Sequence, residues 1–191
     1  MNTKSLAATI VFAALTVALN PAISGIGIPA FYAPYLIYGL WEIPIVVAFL
    51  LIGPLVGIVI SLLNASVLFA LFPGALPAGP FYNLIAIFSM FTGLFIGRKF
   101  FGSKLANSQN VVKIATASTA LGMILRVAVM ALVNYITLQM SYPFGFELNS
   151  LAVLTGYVPE TSLFNATVVL YTIPIGEFIT NVVKSRLSFR S

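Results

Sequence analysis

Residues 54–72 read PLVGIVISLLNASVLFALF, a run of nineteen positions without a charged side chain. A helix needs about 20 mostly apolar residues to cross the hydrocarbon core of a bilayer. Gly53 and Pro54 mark where the run begins, because proline lacks the N–H donor that a helix interior needs. The segment is therefore predicted to be a transmembrane helix.

The rest of the chain repeats this pattern. Of the 191 residues, 60% are hydrophobic and only 7% are charged, and the mean hydropathy is +1.08. Soluble domains carry about a quarter charged residues. In lipid the backbone must satisfy its own hydrogen bonds, which favours helices. We predict an all-α membrane protein, a single domain over 1–191, in which six transmembrane helices form a bundle at about 5–20, 35–51, 54–72, 80–98, 112–138 and 161–184.

The basic residues orient this bundle. If the N-terminus lies in the cytoplasm, eight of the nine Lys and Arg residues fall on the cytoplasmic side, as the positive-inside rule requires: Lys4, Arg98, Lys99, Lys104, Lys113, Lys184, Arg186 and Arg190. The opposite loops carry Glu147 and Glu160 and no basic residue. A multi-pass protein of the plasma membrane is predicted, with its N- and C-termini cytoplasmic.

The chain lacks the residues on which several kinds of catalytic and metal site usually depend. The chain has no Cys, no His and no Asp, so thiolate and imidazole metal sites and a cysteine nucleophile are excluded. An intramembrane enzyme would gather several acids around a metal, whereas this chain has four Glu in all. No phosphate-binding G-x-x-x-x-G-K-[ST] loop occurs. We expect no enzyme activity, no metal, no cofactor, no ATP site and no nucleic-acid partner.

Polar side chains at membrane depth are candidates for function. Asn83, Asn134 and Asn165 fall at similar depth in the outer half of the predicted bundle. If their helices are neighbours, the three amides converge on a pocket that is open to the outside and suited to a flat heterocycle. The alternative is that each amide hydrogen-bonds across a helix interface.

Four further polar residues in the predicted helices have competing interpretations. Asn64 is equally suited to a ligand contact and to a hydrogen bond between helices. Arg126 has Glu42 as a possible counter-charge, and either a structural pair or a ligand contact is consistent with the sequence. Glu177 lies near the cytoplasmic end, close to Lys184, where snorkelling or pairing at the surface is favoured.

The first outward loop, residues 25–41, is rich in aromatic side chains: Phe31, Tyr32, Tyr35, Tyr38 and Trp41. An interfacial aromatic belt explains them. A lid that stacks on an aromatic ligand explains them as well. Small residues elsewhere indicate close helix contacts: Ala14 and Ala18 in the first helix, Gly53 and Gly57, and Gly93 and Gly97.

Several of these stretches together resemble the substrate-binding S component of an energy-coupling factor (ECF) vitamin transporter, most closely its riboflavin-specific branch. They are Trp41-Glu42-Ile43-Pro44, Gly53-Pro54-Leu55-Val56-Gly57, Leu63-Asn64, Gly79-Pro80-Phe81-Tyr82-Asn83, Arg126 through Met130 to Asn134-Tyr135, and Phe164-Asn165, with Ala14-x-x-x-Ala18 in the first helix. Each motif is weak alone, but their order and spacing cover nearly the whole chain.

The resemblance implies a vitamin site near the outer face and a partner module of one transmembrane coupling (T) subunit and two ATPases. It implies ligand contacts at Asn83, Asn134 and Asn165, a gate in residues 25–41, and docking on the coupling subunit through Ala14 and Ala18. The expected substrate-binding set is completed by Glu42, Asn64, Phe31, Tyr32, Tyr35 and Tyr135.

The chain departs from the riboflavin pattern at three positions. Glu42 stands where an Asp is usual, and Leu63 and Val168 stand where the pattern often has Lys. Riboflavin remains the expected substrate, because a pocket with amides and no lysine still suits a neutral aromatic vitamin. The alternatives are another vitamin or heterocycle, such as thiamine, biotin or a queuosine precursor, and a membrane scaffold subunit that binds no vitamin.

Overall fold

A computed structural model describes residues 3–72, 74–104 and 111–186. The elements follow in the order α1 (Thr3–Ala18), α2 (Pro21–Ser24), β1 (Ile28–Ala30), β2 (Ala33–Tyr38), α3 (Glu42–Leu51), α4 (Pro54–Leu71), α5 (Gly79–Lys104), α6 (Val111–Thr137), α7 (Ser150–Ala152), a π-helical turn (Val153–Tyr157) and α8 (Val158–Arg186). Lys4, one of the basic residues used for orientation, lies in α1, whereas Arg190 lies outside the described residues.

Four helical segments are long and apolar enough to cross a membrane: Pro54–Leu71, Gly79–Phe101, Lys113–Thr137 and Ser150–Arg186. The apolar parts of the first and third helices, Ser5–Ala18 and Glu42–Leu51, are shorter. The predicted helices at 54–72, 80–98, 112–138 and 161–184 are therefore confirmed as long apolar helices. That six helices span the bilayer, with both termini in the cytoplasm, stays a prediction.

The predicted helix at 35–51 is wrong over its first seven residues. Ala33–Tyr38 form a strand that pairs antiparallel with Ile28–Ala30, and the helix begins only at Glu42. Tyrosine and isoleucine favour strands, and the pairing partner lies upstream of the predicted segment. A short apolar run does not by its hydropathy tell a strand from a helix.

Helix α3 is the centre of the bundle. Nine of its ten residues are buried, and it packs against α1, α4 and α8. Its C-terminal end turns tightly into α4 at Gly53, whose φ of 146° is a conformation that favours glycine, and Pro54 begins the next helix. The predicted tight turn is confirmed.

The small residues of α5 allow it to approach α6 closely. A Cβ added to Gly97 would lie 2.6 Å from the Cα of Ser118, and one added to Gly93 would lie 2.6 Å from the Cα of Gly122. Both obstacles are backbone atoms of α6, which cannot rotate away as a side chain can. The predicted Gly93 and Gly97 contact is therefore a real helix interface.

We expect Gly93→Ala and Gly97→Ala each to destabilise the bundle by about 1–3 kcal/mol, because the added methyl groups overpack this interface. The measurement is thermal unfolding of purified protein in detergent. Gly79→Ala, at the start of the same helix, is the control, since an added Cβ there has no described atom within 4 Å. Equal unfolding temperatures for all three variants would contradict the assigned interface.

Candidate functional site

A cavity of about 800 Å³ lies where the ends of several helices meet the β1–β2 hairpin. It is within the range of small-molecule sites, about 300–1,000 Å³. Its polar and aromatic lining combines side chains from both ends of the chain: Asn20, Tyr35, Trp41, Glu42, Tyr82, Asn83, Arg126, Asn134, Phe146, Tyr157, Thr161, Phe164, Asn165 and Tyr171.

A buried ion pair forms one wall of this cavity. Arg126 of α6 is 3% exposed and binds Glu42 of α3 through both carboxylate oxygens, with Nη2 2.8 Å from Oε1 and Nη1 bonded to Oε2. The Nε of Arg126 donates to Oδ1 of Asn165 at 2.8 Å, and Nδ2 of Asn165 donates to the carbonyl of Thr161 at 2.8 Å. Of the two interpretations left open by the sequence, Arg126 and Glu42 thus form a pair.

Asn83 and Asn134 differ from Asn165 in what their amides contact. All three line the cavity, as predicted from their depth. The amide of Asn165 is engaged by Arg126 and Thr161, whereas the amides of Asn83 and Asn134 have no hydrogen-bond partner in the described part of the chain. Asn83 and Asn134 therefore offer free donors and acceptors, and Asn165 positions the arginine.

Aromatic side chains line the cavity while their hydroxyl groups are bonded elsewhere. Tyr82 donates to the carbonyl of Phe144 at 2.6 Å, and Tyr171 donates to the carbonyl of Gly39 at 2.7 Å. With its hydroxyl held in this way, each ring is fixed in the cavity wall. Fixed rings suit an aromatic ligand, which gains from stacking without first ordering the site.

The β1–β2 hairpin is held against α8 by a ladder of tyrosines. Tyr35 donates to Oε2 of Glu160 at 2.5 Å, and the hydroxyl of Tyr38 lies 2.7 Å from those of both Thr167 and Tyr32. Burial and the hydrogen bond to Glu160 raise the pKa of Tyr35, so its hydroxyl stays protonated as a donor. Burial and the contact with Tyr38 raise the pKa of Tyr32 to about 12.

Four of the predicted site residues do not line this cavity. Phe31, at the hairpin tip, is 95% exposed, and Tyr32 contacts Tyr38 instead. Tyr135 faces outward on α6. Asn64 is 2% exposed within α4, and its Oδ1 has no hydrogen-bond partner among the described residues. A role for these four in binding remains a prediction that the cavity does not support.

Other lining residues are not among the predicted site residues. Asn20 and Tyr82 reach the cavity from the end of α1 and the start of α5, and Tyr171 from the middle of α8. Asn20 is the last residue of the predicted helix at 5–20 and precedes a proline, a pattern that does not indicate burial in a cavity wall. For Tyr171 the usable signal is spacing, because it lies seven residues, about two helical turns, after Phe164 on the same helix.

The cavity wall carries no net charge. Glu42 and Arg126 are its only ionisable lining residues apart from tyrosines in the described chain, and they neutralise each other. Val168, one of the two positions where the riboflavin pattern often has Lys, does line the cavity, whereas Leu63 does not. No group of three or more acidic side chains in the described chain is placed to hold a metal ion. The site favours a neutral ligand.

A second ion pair joins α5 and α8 away from the cavity. Nη2 of Arg98 lies 2.8 Å from Oε1 of Glu177. The side chain of Arg98 is 37% exposed, whereas those of Arg126 and Glu42 are only 4% and 6% exposed. The pairing expected for Glu177 near the cytoplasmic end is thus made with Arg98, while Lys184 donates to the carbonyl of Leu50.

Comparisons with known proteins identify the fold. No protein-family model matches the chain, and no curated protein matches it. A solved structure of the S component of a bacterial ECF transporter superposes with a TM-score of 0.74 at 21% sequence identity, covering 98% of this chain and 99% of that one. The protein therefore has the fold of an S component along nearly its whole length, as the resemblance in sequence implied.

Removing one partner of the buried pair should be strongly destabilising. We expect Arg126→Met or Glu42→Gln to lose about 3–5 kcal/mol of stability, because each leaves an uncompensated polar or charged group in a low dielectric. The double variant should lose less than the sum of the two. Thermal unfolding in detergent measures these losses.

Arg98→Met is the matched control, since it breaks the more exposed pair with Glu177 and should cost less. Strictly additive losses for Glu42 and Arg126 would show that the two side chains do not stabilise each other.

Proposed function

We propose that the protein is the substrate-capturing S component of an ECF-type vitamin importer and binds riboflavin from outside the cell. The observation that carries the proposal is the cavity, which combines two amides without protein partners, several aromatic rings and a neutralised ion pair. The S-component fold supports the same assignment. The protein acts by binding and delivery, without catalysis and without an ATP site of its own.

Riboflavin suits this cavity by size, shape and charge. Its ring system is flat and aromatic, it is uncharged at neutral pH, and its edges carry both hydrogen-bond donors and acceptors. Asn83 and Asn134 match such edges because an amide donates and accepts. The rings of Tyr82, Phe164 and Tyr171 supply surface for contact with the flat rings.

The same features disfavour charged vitamins. Thiamine is a cation, and the only lining carboxylate, Glu42, already has both oxygens bonded to Arg126. Biotin carries a carboxylate, and the guanidinium that would receive it is committed to Glu42 and Asn165. Burying an uncompensated charge is expensive, so both vitamins should bind less well than riboflavin.

The proposed function requires partners. Delivery into the cell needs a transmembrane coupling (T) subunit and two ATPase subunits in the plasma membrane, because this chain contains no phosphate-binding loop. The exposed face of α1 is the proposed docking surface. Ala14 and Ala18 lie on that face, and small residues allow another helix to approach closely.

The purified protein is expected to carry or to bind riboflavin, seen as flavin absorption bands or as quenched flavin fluorescence on titration. We expect Asn83→Ala and Asn134→Ala each to weaken binding roughly tenfold, since each removes about one hydrogen bond to the ligand. Competition with thiamine and biotin tests the substrate.

Asn181→Ala is the control for these titrations, because Asn181 is an exposed amide of α8 that does not line the cavity. Unchanged affinity in both the Asn83 and Asn134 variants would refute the proposed site, and displacement of riboflavin by thiamine at equal concentration would refute the proposed selectivity.

The proposed docking of α1 on the coupling subunit predicts a phenotype that differs from a loss of vitamin binding. Ala14→Leu combined with Ala18→Leu should abolish vitamin uptake and co-purification of the coupling subunit, because bulky side chains hold the two helices apart, while riboflavin affinity stays unchanged. Ala70→Leu combined with Ala128→Leu, at exposed positions of α4 and α6, is the matched control. Retained co-purification with the α1 variant would rule out this docking surface.

A further inference from the structure

Asn20 lies where the first helix ends and the cavity begins. It follows α1 by two residues, is 4% exposed and belongs to the cavity lining together with Pro21. A polar side chain so deeply buried normally has all its groups bonded. The bonding of Asn20 is therefore informative about what the cavity holds.

The two ends of the Asn20 amide are used differently. Its Oδ1 accepts a hydrogen bond from the backbone N–H of Ala22 at 3.1 Å and so caps the short helix α2. Its Nδ2 has no hydrogen-bond partner among the described residues. This atom is also not among the fully buried side-chain atoms that lack a partner, so part of its surface is accessible. The open space available to this donor is the cavity that Asn20 lines.

The position of Asn20 is fixed on both sides. The hydroxyl of Ser24 donates back to the carbonyl of Asn20 at 3.0 Å. Pro21 packs against the two ends of the hairpin so closely that a Cβ added to Gly39 would lie 2.7 Å from its Cγ, and one added to Gly27 would lie 3.2 Å from its Cβ. The donor is thus held in place before any ligand arrives, which lowers the entropy lost on binding.

We propose that Asn20 is a ligand-binding residue whose Nδ2 donates a hydrogen bond to a carbonyl or ring-nitrogen acceptor of the bound heterocycle. The proposal rests on the proposed function, because it assumes that the cavity receives such a ligand. It adds a third unbonded amide donor to those of Asn83 and Asn134, and this donor comes from the segment that follows α1.

Two variants separate the proposed ligand contact of Asn20 from its role as the N-cap of α2. Asn20→Ser keeps a side-chain oxygen that caps α2 but lacks the amide donor, so the unfolding temperature should stay near that of the wild type while riboflavin affinity falls roughly tenfold. Ser24→Ala loosens the same turn and keeps the amide, so riboflavin affinity should be retained. Unchanged affinity in Asn20→Ser, or an equal loss in Ser24→Ala, would overturn the proposal.

Thiol labelling tests the same contact without relying on affinity. The chain has no cysteine, so Asn20→Cys introduces a single thiol. A small membrane-impermeant methanethiosulfonate should label it from outside, and saturating riboflavin should block the labelling. Ala22→Cys, at an exposed position of α2, should be labelled with or without the vitamin.

The labelling also distinguishes two kinds of failure. A thiol at position 20 that does not react, or that reacts equally with and without the vitamin that the wild type binds, overturns the role of Asn20. A wild-type protein that binds none of riboflavin, thiamine and biotin overturns the proposed function instead.

Discussion

The bundle is organised around one ion pair between Glu42 and Arg126. An isolated charge at this depth would be very unfavourable, so neither residue is tolerable without the other. The pair joins α3 to α6, and the bond from Arg126 to Asn165 extends the link to α8. Three helices that are distant in sequence are thereby fixed at the same level, and the cavity lies directly against this junction.

Under the proposed function, the pairing also limits which ligands the cavity can recognise. Because the guanidinium and the carboxylate neutralise each other, the wall offers dipoles rather than net charge. Selectivity for a ligand would then depend on hydrogen bonds and aromatic stacking. An amide without a protein partner in such a site discriminates strongly between ligands. A ligand that lacks the matching donor or acceptor leaves the amide without a hydrogen bond. A lysine at position 168, as the riboflavin pattern often has, would add a positive charge to this wall, and Val168 instead makes it more apolar.

Much of the fold follows from hydropathy, and much of the site does not. Long uncharged runs such as 54–72 predict helices directly, because lipid leaves the backbone few alternatives. The predicted helix is wrong over residues 35–41 because strand pairing depends on a partner that hydropathy does not reveal. Depth along helices correctly brought Asn83, Asn134 and Asn165 together, but depth carries no information on rotation, so Asn64 was expected in a cavity that it does not reach.

Asn20 lies between the proposed docking surface on α1 and the proposed ligand site in the cavity. Ala14 and Ala18 lie on the exposed face of α1, and Asn20 lies just beyond the end of that helix in the cavity wall, with Pro21 wedged against the hairpin. A ligand bonded to Asn20 restrains the segment through which any displacement of α1 must reach the hairpin. Coupling between two sites is reciprocal, so a partner that shifts α1 on docking would alter ligand affinity by the same factor with which the ligand alters docking. Under the proposed function, in which cargo is bound outside and released inside, that reciprocity would connect capture with delivery.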